Sequence, residues 1–327
     1  MDTINKRANM LTIFVLTFIM PTNLIDAASD YSNGGSTNLA IITWAHAVNS
    51  QALLEQVLAN AKVQMIEADV SPGILKKSCA QETENPTLDT SIIKTIWFQI
   101  QSALNVQYRD VVMAHPPDTS SDLSLEDFLS KVYDHNSKSN KKKGIKLDIK
   151  DIDPLKRALS LIKQKNFADA NTFINADVIC GPGMNEFLPD KPIDAKEFLD
   201  AFEDFDGLSN VTLSIGWKTG SSQMQTAVYT QYHVDQMIKA INDNNVDKSH
   251  PISFPVRAIY AVRSIPTLKY LFDSVSKVYK VTFTIWTGSN DTFSILELQK
   301  LINFFGLPYV YVDIPDEMKS KLNLKSG

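Results

Sequence analysis

Short β-rich runs alternate with longer stretches of helical periodicity along most of this chain, and that alternation restricts its fold more than any other feature. Nine runs have strand character: residues 39–45, 63–70, 110–114, 144–149, 172–179, 211–217, 254–262, 281–287 and 309–313. Between them, stretches such as 50–61, 123–133 and 154–165 place apolar residues at helical spacing, as in the stripe Leu125, Phe128, Leu129 and Val132. Asp153-Pro154 reads as an N-cap followed by proline at the first helical position. Strand–helix alternation predicts βαβ units around a parallel sheet, and eight units close a (β/α)8 barrel of the TIM type. Nine candidates exceed eight by one, and the extra piece is expected at 254–262 or 309–313. A chain of 327 residues with 44% apolar content suits a barrel of this kind as a single domain. No Gly-x-Gly-x-x-Gly follows the first strand and no Walker-type loop occurs, which removes the dinucleotide-binding reading.

The N-terminus has a different character. Lys6 and Arg7 precede an apolar run from Met10 to Met20, and the small residues Ala27, Ala28 and Ser29 follow. This is the pattern of a secretory signal peptide, with an uncleaved signal anchor as its rival. The expected division is residues 1–28 as signal peptide and 29–327 as the barrel domain, in a secreted, extracellular protein with no transmembrane span after cleavage. Asn210-Val211-Thr212 and Asn290-Asp291-Thr292 are glycosylation acceptor triplets that suit that route. Cys79 and Cys180 are the two cysteines, and the sequence does not show whether they pair. A net charge of −5 provides no basic footprint for nucleic acid.

The polar residues fall at strand ends. The first strand ends at Trp44-Ala45-His46, the second meets Glu67-Ala68-Asp69, the third ends at His115-Pro116-Pro117, and the fourth carries Asp148-Ile149-Lys150. The C-terminal ends of barrel strands form the rim where active sites are built. Residues i and i+2 of a strand share a face, so Glu67 projects with Asp69 and Asp148 with Lys150, opposite Ile66, Ala68, Val70, Leu147 and Ile149. If the apolar set packs on the helices, the charged set points into the barrel mouth. Three carboxylates converging there repel one another unless a cation lies between them, and oxygen ligands favour Mg²⁺, with Ca²⁺ as the alternative. Two histidines suit proton transfer, Lys150 suits an anionic substrate group, and the set fits phosphodiester cleavage. One histidine would attack or act as base while the other protonates the leaving group. Lys146 shares a face with Asp148 and so could join the pocket, but it lies deeper, which favours a structural ion pair.

The motifs Trp44-Ala-His-Ala-Val-Asn49, Ile66-Glu-Ala-Asp-Val70, Ala114-His-Pro-Pro117, Lys146-Leu-Asp-Ile-Lys150, Phe173-Ile-Asn-Ala-Asp-Val178 and Leu213-Ser-Ile-Gly-Trp-Lys-Thr219 resemble those of the menorin family of secreted or membrane-associated animal proteins. That family in turn resembles the phospholipase-C-like barrels of glycerophosphodiester phosphodiesterases and spider-venom phospholipase D toxins. The resemblance implies acid/base or nucleophile roles for His46 and His115, Mg²⁺ ligation by Glu67, Asp69 and Asp148, and a phosphate contact at Lys150. Trp286 is similar to a late-strand tryptophan of such barrels. The Arg-Gly that follows the first histidine in glycerophosphodiester phosphodiesterases is Ala47-Val48 here, which removes a phosphate contact. The family resemblance also implies extracellular recognition, in particular neuronal dendrite patterning with cell-adhesion receptors. Two functional readings therefore stand: a secreted phosphodiesterase or phospholipase-like enzyme acting on a phosphodiester or lipid head group, and a non-catalytic recognition protein on the same barrel.

Overall fold

The computed structural model describes residues 38–76, 110–165, 167, 171–184, 191–203, 205, 207–220, 226–244 and 246–325. The expected signal segment 1–28 and Cys79 lie outside the described residues. Ten strands run in chain order: β1 (Trp44–Ala45), β2 (Met65–Leu75), β3 (Asp110–Met113), β4 (Ser120–Ser121), β5 (Gly144–Ile149), β6 (Thr172–Cys180), β7 (Thr212–Lys218), β8 (Ile252–Arg257), β9 (Val281–Trp286) and β10 (Val310–Asp313). Eight of them form one parallel sheet in the order β1-β2-β5-β6-β7-β8-β9-β10, a nearly closed α/β barrel built as a single domain.

The supernumerary strand is β3, and both expected candidates are barrel strands instead. β2 runs for 11 residues, and β5 pairs with it only as far as Val70↔Ile149. The overhang would expose unpaired backbone groups at an edge. β3 covers it antiparallel, from Val70↔Met113 to Gly73↔Asp110, and β4 pairs beside it at Ile74↔Ser120. Gly73 is required at this crossing: a Cβ there would lie 2.5 Å from the Val112 side chain and 2.7 Å from the Thr119 carbonyl. The candidate at 254–262 shifts to Ile252–Arg257 and gives way to a helical turn at Ala258–Ala261. The first strand is shorter than expected, because Leu39–Ile41 form a 3₁₀ turn beneath it.

Strand alternation divides the core in two. Ile66, Ala68 and Val70, Leu147 and Ile149, and Ile174 and Ala176 face outward, where the helices bury them. Helix Leu125–Lys138 supplies its expected stripe of Leu125, Phe128, Leu129 and Val132, capped by Ser124, whose side chain accepts from the Asp127 N–H. Helix Leu155–Gln164 starts one residue later than expected: Pro154 is the N-cap, and Asp153 spends its own N–H on the Asp151 side chain. Inside the barrel, a separate cluster of Leu39, Ile42, Met65, Phe173 and Tyr311 forms an apolar floor against Trp44. Trp44, Phe173 and Tyr311 meet edge to face with centroids 5.5–6.1 Å apart. Above that floor the interior is polar.

β1 and β10 do not pair with each other, so side chains must close the seam. Lys319 Nζ donates to the carbonyls of Ile42 (2.5 Å) and Val312 (2.7 Å), one on each side. Asn38 Nδ2 donates to the Leu324 carbonyl at 2.7 Å, and His46 meets Asp313 across the gap. No helix among the described residues is long and apolar enough to cross a membrane.

Candidate metal centre

Each of Glu67, Asp69 and Asp148 offers one carboxylate oxygen within 4.8 Å of the others. The register explains the meeting: Asp69 on β2 lies beside Asp148 on β5, Glu67 is one inward-facing position below, and the residues between them face the helices. Glu67 and Asp69 are buried. Two asparagines fix the carboxylates. Asn49 Nδ2 donates to Asp69 at 2.6 Å, while its Oδ1 accepts the Asp69 N–H at 2.9 Å. Asn175 Nδ2 donates to Asp148 at 2.7 Å, and its own Oδ1 accepts from Ser214 at 2.6 Å. Glu67 accepts the Ala47 N–H at 2.7 Å. To deliver that N–H, Ala47 adopts φ +54°, a left-handed conformation that costs a non-glycine residue of order 1 kcal/mol.

The expected site residues gather around one cavity of about 500 Å³ at the C-terminal rim, lined in part by His46, Asp69, His115, Asp148 and Lys150. His115 reaches it although β3 is antiparallel, because β3 descends from the overhang and Ala114 hands its N–H to the Asp69 carbonyl. Lys150 Nζ lies 2.5 Å from Asp148 and 3.0 Å from Asp69, so its ammonium bridges both carboxylates and balances one of their two charges. Lys146 also lines the cavity, but the expected ion pair is not formed: among the described residues it has no ion-pair partner. Trp286 lies on the wall, with the Arg257 guanidinium 5.4 Å from its ring.

Several members of the site were not singled out from sequence. Asp313 receives His46 Nδ1 at 3.1 Å. Asp177, Lys218 and Arg257 line the same cavity, and Asp291 grips Arg257 through both oxygens at 2.6 and 2.8 Å. The strand-end rule that found the first four groups also reaches Asp177, Lys218, Arg257 and Asp313 when carried through the later strands. Asn49 and Asn175 have no such signal, because an amide reveals itself only through its partners. The Asn210 and Asn290 side chains are exposed, and Asn290 adjoins the buried Asp291.

The electrostatics fit a cation. Burial, reinforced by Asp69 and Asp148, pushes the Glu67 carboxyl up to about 7 even though His46 opposes the shift. The protein's own cations therefore leave Glu67 only partly ionised near neutrality. Asp177 is raised to about 6 by burial and by Asp148. Burial opposes the charge on Asp148 and Lys150, yet their mutual attraction lowers the acid and raises the base. Burial also opposes the charge on His46, but the hydrogen bond to Asp313 and the charges of Glu67 and Asp313 raise it to about 9. Three carboxylate oxygens form a hard donor set that suits a divalent, oxygen-seeking ion.

Fold and site together define a parallel α/β barrel with an acidic, lysine-bordered cavity at its C-terminal rim. Residues 38–95 and 96–319 match the Menorin N-terminal domain, and the chain belongs to the menorin family. It is 33% identical over 292 residues to Protein FAM151B of Homo sapiens, an alignment covering 88% of each chain. A probable tagatose 6 phosphate kinase from Sinorhizobium meliloti 1021 superposes with a TM-score of 0.42 at 11% identity, over 84% of this chain and 64% of that one. Oxaloacetate acetylhydrolase in complex with oxalate gives 0.40 at 8% identity, over 88% and 80%. Neither overlap bears on chemistry or substrate.

Proposed function

We propose that this chain is a secreted barrel protein of the phospholipase-C-like phosphodiesterase kind, acting on a phosphodiester with Mg²⁺, or Ca²⁺ in its place. The observation that carries this reading is the cluster of Glu67, Asp69 and Asp148 beside a cavity that Asp69 and Asp148 line together with His46 and His115. The three carboxylates would hold the ion, which supplies charge neutralisation at the phosphoryl oxygens. The two histidines differ in environment. The Pro116 carbonyl can only accept, so His115 donates from Nδ1 at 2.6 Å and carries its lone pair on Nε2, which suits a general base. His46 keeps its proton to about pH 9 and suits a general acid. In this scheme His115 takes the proton of the attacking hydroxyl as the new P–O bond forms. His46 protonates the leaving oxygen as the old bond breaks. Lys150 serves a phosphoryl oxygen when a cation takes over its carboxylates.

Release from a panel of lysophospholipids and glycerophosphodiesters, with Mg²⁺ and with EDTA, tests the reading. Turnover should require the metal and fall by about 10²–10⁴-fold in both His46→Ala and His115→Ala. Metal binding without release of any substrate favours the second reading, a non-catalytic recognition protein that acts with extracellular adhesion receptors in dendrite patterning. That reading is supported by Lys150, whose ammonium already bridges two of the three carboxylates without an ion. Secretion follows from the leader 1–28, and the exposed Asn210 and Asn290 are its expected glycan sites.

A further inference from the structure

The cations around the cavity are not equally engaged. Lys150 is bound to Asp148 and Asp69. Arg257 is held by Asp291, by the Gly220 carbonyl at 2.7 Å and by Thr219 at 3.2 Å. Lys218 Nζ donates to the Lys191 carbonyl at 3.3 Å. Lys146 differs from all three. Its side chain is only 4% exposed and lines the cavity, yet among the described residues it makes neither a hydrogen bond nor an ion pair. Its register places it between Glu67 on β2 and Phe173 on β6, at the level where the apolar floor begins and one inward position below Asp148. The charges of Glu67, Asp148 and Asp177 act on that ammonium, but none of them hydrogen-bonds it, so its donors are free to meet an oxygen that enters the cavity.

We propose that Lys146 is the base of an anion subsite at the floor of the cavity, where it takes one oxygen of a tetrahedral phosphoryl group. The inference rests on the phosphate-handling reading above, but it concerns binding and can be tested without turnover. A planar carboxylate presents its two oxygens in nearly one direction. A phosphoryl group directs its oxygens apart, so one can meet Lys146 while another faces the carboxylate-bound cation. Lysine suits that task as a compact point charge. A volume of about 500 Å³ holds a head group rather than a whole lipid, so the subsite selects the charged end of its ligand.

The test is isothermal titration of the full chain with inorganic phosphate and with dimethyl phosphate, each in EDTA and in Mg²⁺. Wild type should bind at least one probe in EDTA. Lys146→Met should weaken that binding about tenfold or more, the loss expected for one charge-assisted hydrogen bond, while Lys146→Arg retains most of it. Tighter binding of dimethyl phosphate assigns the subsite to diesters, and tighter binding of inorganic phosphate assigns it to free phosphate. Either result supports an anion subsite. No binding of either probe by wild type overturns the proposal, as does equal binding by Lys146→Met. Should Lys146→Met fail to fold, phosphate soaked into crystals of the unmutated protein decides: an oxygen within hydrogen-bond reach of Lys146 Nζ supports the subsite, and an anion seated elsewhere overturns it. Phosphate binding that depends on Lys146, in a protein that turns nothing over, would refute the enzyme and leave the subsite standing.

Discussion

Asn49→Ala removes the residue that takes over from a strand. β1 ends at Ala45, and beyond it the Asn49 side chain meets β2, accepting the Asp69 N–H at 2.9 Å and donating to the Asp69 carboxylate at 2.6 Å. The substitution strands a backbone N–H, which costs about 1–3 kcal/mol, and removes a donor to a buried carboxylate, worth about 1.5–3 kcal/mol. Asn49 is half-buried, so water recovers part of both, and a net loss of about 3 kcal/mol follows. Urea unfolding followed by circular dichroism in EDTA measures it. The same asparagine orients a metal ligand, so Mg²⁺ affinity should fall about 10–100-fold, the usual cost of losing a group that orients a ligand. Asn49→Asp keeps the shape but sets a second carboxylate against Asp69, and should be the less stable variant in EDTA. A loss below about 1 kcal/mol for Asn49→Ala, together with unchanged Mg²⁺ affinity, would refute the claim that Asn49 holds Asp69 in place.

Two further expectations follow from the charges and from the seam. In EDTA, Glu67 (4.5 to about 7), Asp177 (3.8 to about 6) and His46 (6.5 to about 9) all bind protons more tightly in the folded chain. Each contribution is complete below the unfolded value and lost as pH rises through the folded one, so the melting temperature should fall from about pH 5 to about pH 8, above which Lys319, lowered to about 8 by burial, offsets the loss at His46. Mg²⁺ should reverse much of that fall, because it favours ionised Glu67; a flat or rising profile in EDTA would contradict the assignment. Lys319→Met removes the two hydrogen bonds that one ammonium makes across the seam, and about 2 kcal/mol of stability should go with them by urea unfolding. An unchanged midpoint would mean that the seam is held by the Tyr311 floor together with the Asn38–Leu324 and His46–Asp313 contacts.

The barrel and its inward carboxylates were legible because a strand has a period of two, and Glu67 and Asp69 could not share a face with Ile66, Ala68 and Val70. The direction of β3 was not legible. Parallel and antiparallel strands share that period, and nothing in Asp110-Val-Val-Met distinguishes a barrel stave from a cover over the β2 overhang. Lys146 was misjudged because sequence spacing places a side chain on a face without naming its neighbour: Glu67 faces it in register, yet His46 and the Ala47 N–H take up that carboxylate. Arg257 ends an apolar run, and the partners that fix it, Asp291, Thr219 and the Gly220 carbonyl, lie far from it in sequence.

The last strand shows why the site and the closure of the barrel belong to one problem. Asp313 ends β10 and His46 follows β1, and these are the two strands that share no backbone pairing. Their 3.1 Å contact crosses the seam and holds Nδ1 of His46 between Asp313 and Glu67, whose carboxylate lies 3.3 Å away. Any loosening between β1 and β10 therefore removes a partner that holds the His46 proton before it disturbs the carboxylates on β2 and β5, which are paired along their length. Under the proposed chemistry, damage at the seam should remove the general acid first and the metal site last. Lys319→Met should thus lose turnover while keeping Mg²⁺ affinity, the opposite of the pattern expected for Asn49→Ala.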